Sequence, residues 1–260
     1  MGHYFKVYKE FVSTCFSQAM SFRVNFIFLI LMDLVFYATN IFTVTFIFDY
    51  VDTIGPWNRD QFLFFTAFMI AVDHMHMTFC SENFWWFSDD LKRGNLDFIL
   101  LKPMSSIFTV FFRRMRPGTL PNIITTWGLM IYFGNACGFV WWQWALLPPL
   151  LLISFAFIIS LEIIISISMF WLTEGHGVNF FRMQLQRFSQ WPDFVFMYFT
   201  RKTLTFFFPI LLVGSAPVRL MYDLRDWKYF ALMLLYMGLS WIIIKALWSL
   251  GLKQYESASS

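Results

Sequence analysis

The chain has 260 residues, of which 58% are hydrophobic and 22% aromatic, while only 13% are charged. Soluble domains carry about a quarter charged residues, so a water-soluble globule is excluded, and a net charge of +3 offers little to nucleic acid. Cys15, Cys80 and Cys137 are far apart, match neither a disulfide framework nor zinc spacing, and read as small apolar residues.

The first stretch, MGHYFKVYKEFVSTCFSQAMSFR (1–23), lacks a compact apolar core followed by a small-residue cleavage site, so no cleavable signal is expected. Phe5, Tyr8, Phe11, Val12, Cys15 and Phe16 recur at helical spacing, with Lys6, Lys9 and Glu10 between them. The pattern predicts an amphipathic helix lying in the membrane interface; the alternative is an ordinary frayed terminus. A membrane span needs about 20 mostly apolar residues. Segments 24–48, 61–80, 145–172 and 228–250 meet this, and 119–140 does so less well because glycines and an asparagine dilute it. The stretch FVFMYFTRKTLTFFFPILLVGSAP is apolar on both sides of Arg201 and Lys202. Its simplest reading places that pair at the interface and lets 203–217 enter the bilayer, broken by Pro209 and Pro217, as a full crossing followed by a partly re-entrant stretch. The runs are continuous rather than alternating, which excludes a closed β-barrel.

The expected fold is therefore an all-α integral membrane protein, one transmembrane domain over 1–260. It has six transmembrane helices, an interface helix over 1–23 and a loop over 81–118 with a short helix of its own. With both termini inside, the inner segments hold 14 of the 19 Lys and Arg residues, among them Arg182, Arg187, Arg201 and Lys202. The outer loops hold Arg59, Arg219, Arg225 and Lys228, with Lys245 left inside the last span. The positive-inside rule then puts residues 81–118 and both termini in the cytoplasm of a multi-pass protein of the cell (inner) membrane.

Within that loop, DDLKRGNLDFILLKPMS (89–105) interrupts the oily sequence with two breaks around a short apolar core. Gly94 suits the left-handed end of a helix, with Lys92 and Arg93 complementing its C-terminus. Asn95 is expected to cap a new helix whose N-terminal dipole Asp97 favours. Pro103 disfavours helix at Lys102, so that helix should run from Leu96 to Leu101. Such a stiff apolar knob fits a groove in another protein, or folds back on its own subunit; composition leaves the two open.

RGNLDFILLKPMS resembles the cytoplasmic Arg-x-Gly-x-Leu-Asp-x-x-Leu-Leu-x-Pro motif of ABC-2 type transporter permeases, in particular a six-span branch of them. QWPDFVF followed by LTFFFPILLVGSAPVRLMYD resembles that branch's fifth-span region, and WSLGLKQYESASS its Gly-Leu-x-x-Tyr-Glu-Ser-Ala ending. The resemblance covers essentially the whole chain. It implies the membrane subunit of an ABC exporter, with Gly94, Leu96, Asp97, Leu100, Leu101 and Pro103 forming the coupling helix that docks an ATP-binding subunit. The motif's basic residue usually sits closer to the Gly, and Lys102 stands where the branch often has Arg. Lys lacks the bidentate contacts of Arg, so no role is assigned to it.

An ATPase needs a loop of the form G-x-x-x-x-G-K-[ST] to cradle phosphates. The nearest glycine pair, EGHGVNF (174–180), lacks the lysine. No cofactor is therefore expected on this chain, and ATP with its Mg²⁺ belongs to a separate ATPase. Six spans are few for a transport path in this family, so a second permease subunit, identical or paralogous, is also expected in the bilayer. Asp33, Asp73 and Glu162 fall inside predicted spans, where an acid is a functional hypothesis by default. They could line an intramembrane polar path, as in a proton-coupled secondary transporter, or face an interface or polar cavity, paired or protonated; Lys245 either partners one of them or snorkels to the cytoplasmic interface. The absence of an obvious inverted repeat weighs against the secondary transporter.

In DHMHMTFC (73–80) only Asp73, His76 and Cys80 share a helix face, a thin basis for a metal site. Neither a His-Glu-x-x-His run nor a Gly-x-Ser-x-Gly elbow is present, which removes the signatures of a membrane-embedded enzyme. FWWF (84–87) and VWWQW (140–144) read as interfacial anchors, with sugar stacking by Trp141, Trp142 or Trp144 as the sharper alternative. RRMRP (113–117) attracts anionic headgroups or simply sets topology.

Overall fold

A backbone inside a bilayer finds no water, so it must satisfy its own N–H and C=O groups, and this chain does so by folding almost wholly into helix. The structure, a computed structural model, describes residues 2–21, 23–172 and 175–255. The element order begins α1 (Gly2–Ser21), α2 (Arg23–Phe48), β1 (Thr53–Ile54), β2 (Trp57–Asn58), α3 (Arg59–Phe79), α4 (Ser81–Lys92), α5 (Asn95–Leu100) and α6 (Ser106–Phe112). It continues with α7 (Ile123–Ala136), α8 (Trp141–Ile167), α9 (Gly175–Ser189), α10 (Tyr198–Lys202), α11 (Leu212–Tyr222) and α12 (Trp227–Gln254). The two strands pair antiparallel, Thr53 opposite Asn58. Asn58 then caps α3 reciprocally with Gln61, each side chain accepting from the other's backbone N–H at 3.0 and 3.1 Å.

Four helical runs are long and apolar enough to cross a membrane: Arg23–Phe48, Arg59–Lys92, Trp141–Phe170 and Leu224–Gln254. The second is longer than the expected 61–80, because α4 continues the helix after a break at Cys80. α3 is the core of the bundle, buried continuously from Phe62 to Val72 and surrounded by α2, α7, α8 and α11. α2, by contrast, is buried only at Tyr37 and Val44, leaving its remaining apolar surface to lipid. The weak segment 119–140 forms a 3₁₀ turn over Pro117–Asn122 and then α7. At 1.5 Å per residue α7 alone reaches only about 21 Å, short of the roughly 30 Å hydrocarbon core.

Contacts define two ends of the bundle. At one, Trp57 packs edge-on against Phe194, and the Tyr222 hydroxyl donates to the Gln61 carbonyl at 2.8 Å. At the other, Phe87 packs on Phe170 and Trp248, near Gly94. α9 starts at the Gly94 end, where its Gly175 presses on Ser88 so closely that a Cβ would meet the Ser88 Oγ at 1.9 Å. It finishes near Trp191, which packs on Phe62 at the Trp57 end. α9 therefore carries the chain from end to end.

The following segments, Tyr198–Phe207 and Pro209–Tyr222, meet at 84°. The bend falls at Phe208, which leaves helical geometry (φ −114°, ψ 86°) immediately before Pro209, as proline demands of its predecessor. Asp193 accepts from Arg219 at 2.7 Å and also pairs with Arg201. This corrects the expectation that separated Arg201 from Arg219 across the membrane: both lie at the Trp57 end, where the bent pair begins and ends. Lys202 follows Arg201 there, its ammonium over the Tyr198 ring.

α1 forms as expected and lies along the 105–113 region. Tyr4 and Tyr8 contact the Phe108 ring, and the Cys15 thiol faces the Arg113 carbonyl at 3.9 Å. Tyr8, Phe11, Val12 and Cys15 are half-buried while Phe16 points outward, and the Phe5 side chain lies outside the described residues.

Candidate functional site

Two groupings carry functional weight, one at the Gly94 end and one inside the bundle. At the Gly94 end, α4 closes with the Arg93 N–H donating to the Asp89 carbonyl at 2.9 Å, and Gly94 takes φ 71°. That left-handed turn is natural to glycine and costs other residues about 1–2 kcal/mol. It redirects the chain into α5, which runs Asn95–Leu100. Asn95 is not the cap: it is the first helical residue, and its side-chain amide reaches back toward Asp90, 3.5 Å away. Asp90 also pairs with Arg113, tying α4 to the end of α6. Ser105 opens α6 as its cap, and its own N–H donates to the Tyr4 hydroxyl at 3.1 Å.

α5 has two faces. Leu96 and Ile99 are fully buried against α4 and α6, whereas Phe98 is 70% exposed and Leu101 82% exposed. Leu100 is partly exposed, and Lys102 and Pro103 are exposed. Of the residues named from the motif, Gly94 and Leu96 therefore shape the knob from within, while Leu100, Leu101 and Pro103 face outward. Phe98 was missed, because a variable position inside a motif carries no signal until the helix shows which way it points. Asp97 lies near Tyr255 at the end of α12; burial, and then the Asp97 charge, push the Tyr255 hydroxyl above its ordinary pKa. The Leu-Asp motif and the tail tyrosine thus meet in space, while Glu256, Ser257 and Ala258 lie outside the described residues.

Inside the bundle, Glu162 on α8 is the centre of a sealed network. Its carboxylate accepts from His76 Nε2 at 2.5 Å and from Arg182 Nη1 at 3.0 Å. Gln186 Nε2 donates to the Asp73 carboxylate at 2.9 Å and lies 3.2 Å from His76 Nδ1. Arg182 Nε donates to Asn179, whose amide donates to the Phe84 carbonyl, and the Arg182 guanidinium stacks on the Phe84 ring at 4.6 Å. Asp73 and Glu162 are thereby joined through His76 and Gln186. Asp33 stands apart, accepting from Asn122 at 3.0 Å. Lys245 is exposed on α12, so the expected basic partner is replaced by Arg182, which the sequence had placed in a loop.

Among the described residues no three His, Cys, Asp or Glu side chains group as metal donors. Phe84 and Phe87, read as interfacial anchors, are core residues; Trp86 lies beneath the Arg114 guanidinium, and Trp141 is exposed as an anchor should be. Gly175 answers to packing on Ser88, and Glu174 lies outside the described residues.

A multi-pass helical membrane protein with a two-turn knob at one end and a sealed charge network in its bundle has the architecture of a transporter's membrane subunit. Residues 34–259 match the model of the ABC-2 family transporter protein, and the chain belongs to that family. No curated protein and no solved structure matches the chain.

Proposed function

We propose that this permease is the membrane subunit of an ABC-type exporter, driven by ATP that a separate ATP-binding subunit hydrolyses with Mg²⁺. The observation that carries the reading is α5: a two-turn helix anchored from behind by Leu96 and Ile99, presenting Phe98 and Leu101 to whatever lies beyond. Apolar side chains standing free on a short rigid helix are suited to a groove in a partner. A second permease subunit, identical or paralogous, completes the transport path.

On this reading there are six crossings, α2, α3 with α4, Pro117 to Ala136, α8, α9 and α12, with the bent pair re-entrant; the end-to-end course of α9 supports it. The sixth crossing is thus α9 rather than 203–217. Arg201 and Lys202 move to the Trp57 end, which then holds seven bases with Arg59, Arg187, Arg219, Arg225 and Lys228; ten lie at the Gly94 end. Arg182 and Lys245 lie along helices between them. The narrower margin still favours the Gly94 end as cytoplasmic, with α1 in that interface.

The test is co-purification with the cognate ATP-binding subunit from mild detergent. Phe98→Asp with Leu101→Asp should remove the association while membrane insertion and yield hold. Undiminished association of the double variant overturns the docking assignment.

A further inference from the structure

Between α1, the first turns of α2 and the 113–118 segment lies a cavity of about 600 Å³. Its polar lining includes Gln18, Asn25, Glu82, Arg114 and Arg116, and Phe26 and Leu29 form part of its apolar wall. The backbone beneath the two arginines is fixed. Asn83 clamps Arg114 on both sides, donating to its carbonyl at 2.7 Å and accepting from its N–H at 2.9 Å. The Arg116 N–H donates to the Thr78 carbonyl at 2.8 Å, and the Thr119 hydroxyl donates to the Arg116 carbonyl at 2.8 Å.

The three guanidiniums of this segment are used differently. Arg113 is engaged by Asp90. Arg114 and Arg116 form no ion pair among the described residues. The Arg114 group is held flat over Trp86 at 3.9 Å, and its Nε is buried without a hydrogen-bond partner. A buried donor left unmade costs free energy. Glu82 offsets one of the two charges lining the cavity, and Arg23 adds another from an adjoining hollow that shares Asn25. The site is net positive.

α2 supplies Phe26 and Leu29 to the cavity wall, both partly exposed, while Val24, Ile27, Phe28 and Leu31 lie on the far side of the helix, each at least half exposed and all apolar. In a chain that spans a bilayer this face meets acyl chains. A planar guanidinium binds phosphate oxygens in a fork that an ammonium cannot reproduce. We infer that the cavity holds the phosphate headgroup of an anionic phospholipid, gripped by Arg114 and Arg116, with its acyl chains leaving past Phe26 and Leu29. Glu82 disfavours multiply charged free phosphate more than it does a phosphodiester carrying one charge. The inference rests on membrane placement and is independent of ATPase docking.

The experiment is native mass spectrometry of the full-length chain in detergent, titrated with phosphatidylglycerol, phosphatidylcholine, phosphatidylethanolamine or inorganic phosphate. Phosphatidylglycerol should be retained preferentially. Arg116→Gln should weaken its retention about fivefold, the effect of one base at a charged lipid surface, and Lys9→Gln on α1 should leave it unchanged. Arg114→Gln risks the packing on Trp86, so Arg114→Lys accompanies it: charge is kept, the fork is lost, and retention should fall between wild type and Arg116→Gln. Equal retention of the zwitterionic lipids overturns the proposal. So does an Arg116→Gln protein that elutes as a single species and holds phosphatidylglycerol as the wild type does, or displacement of the lipid by inorganic phosphate.

Discussion

The Arg182 guanidinium lies 3.0 Å from the Glu162 carboxylate, with the two side chains only 1% and 2% exposed. Each is a charge withdrawn from water, and each compensates the other there. Breaking a buried pair from one side costs about 3–5 kcal/mol, whereas replacing both partners with apolar groups is often close to neutral. The pair connects α8 to α9, and through Asn179 and Phe84 it reaches α4.

Arg182→Met alone should therefore destabilise the protein by about 3–5 kcal/mol, and Glu162→Leu alone should also destabilise it strongly. Arg182→Met combined with Glu162→Leu should recover most of that loss. Thermal unfolding in one detergent, followed by circular dichroism, supplies the comparison. If the double variant loses the full sum of the two single losses, the residues do not act as a pair.

The long apolar runs of α2, α3, α8 and α12 were legible in the sequence because a hydropathy window measures transfer into lipid, and these helices meet that criterion by length alone. Gly94 was legible for a steric reason: the chain needs a left-handed turn between two helices, and glycine stood at the break. α9 was not legible. GHGVNFFRMQLQRFS places Asn179, Arg182 and Gln186 on a side that protein, not lipid, surrounds, so its polarity reads as loop. The same effect misplaced Arg201, whose partner Asp193 becomes evident only once the bend at Phe208 folds the chain back. At the α5 knob, Gly94 and Pro103 gave the turn and the helix but not the outward face, which depends on how α5 is seated on α4 and α6.

The two faces of α5 should separate stability from docking. Leu96→Ala removes a fully buried side chain and should cost about 2–5 kcal/mol in thermal unfolding. Phe98→Ala should leave unfolding unchanged and lower the yield of co-purified ATP-binding subunit. Gly94→Ala must hold φ 71° against steric preference and should cost about 1–2 kcal/mol. A Phe98→Ala protein that unfolds earlier while binding the ATPase normally would mean the assigned faces are reversed.

Arg201 and Arg219 converging on Asp193 gives a topology that labelling can check. In a background free of Cys15, Cys80 and Cys137, cysteines at Asp52 and Lys202 should react with an impermeant thiol reagent in intact cells. A cysteine at Lys102 should react only after permeabilisation. All three positions are exposed. Labelling of Lys102 but not Asp52 or Lys202 in intact cells would reverse the orientation, and protection of Lys202 together with Lys102 would return residues 198–222 to a full crossing.

The intramembrane acids decide between ATP-driven and proton-driven transport. A carboxylate in the bilayer costs at least about 2.5 kcal/mol unless paired or hydrated, and each of these has a partner: Arg182 and His76 for Glu162, Gln186 for Asp73, Asn122 for Asp33. A proton carrier must be able to lose and regain its charge as the cycle turns, whereas Glu162 is held by a guanidinium in a sealed site. Asp33 and Asp73 each accept a hydrogen bond that an amide oxygen also accepts. Asp33→Asn and Asp73→Asn should therefore keep ATP-dependent transport by the assembled complex in vesicles within about twofold of wild type, since removing ionisation leaves those bonds in place. Glu162→Gln is a poorer probe, because loss of fold and loss of a proton site coincide there. Abolished transport in a folded, ATPase-bound Asp73→Asn complex would show that ionisation at that position is required. Wild-type transport that follows an imposed pH gradient without ATP would establish the proton-coupled alternative, and with it a working role for Asp33, Asp73 and Glu162.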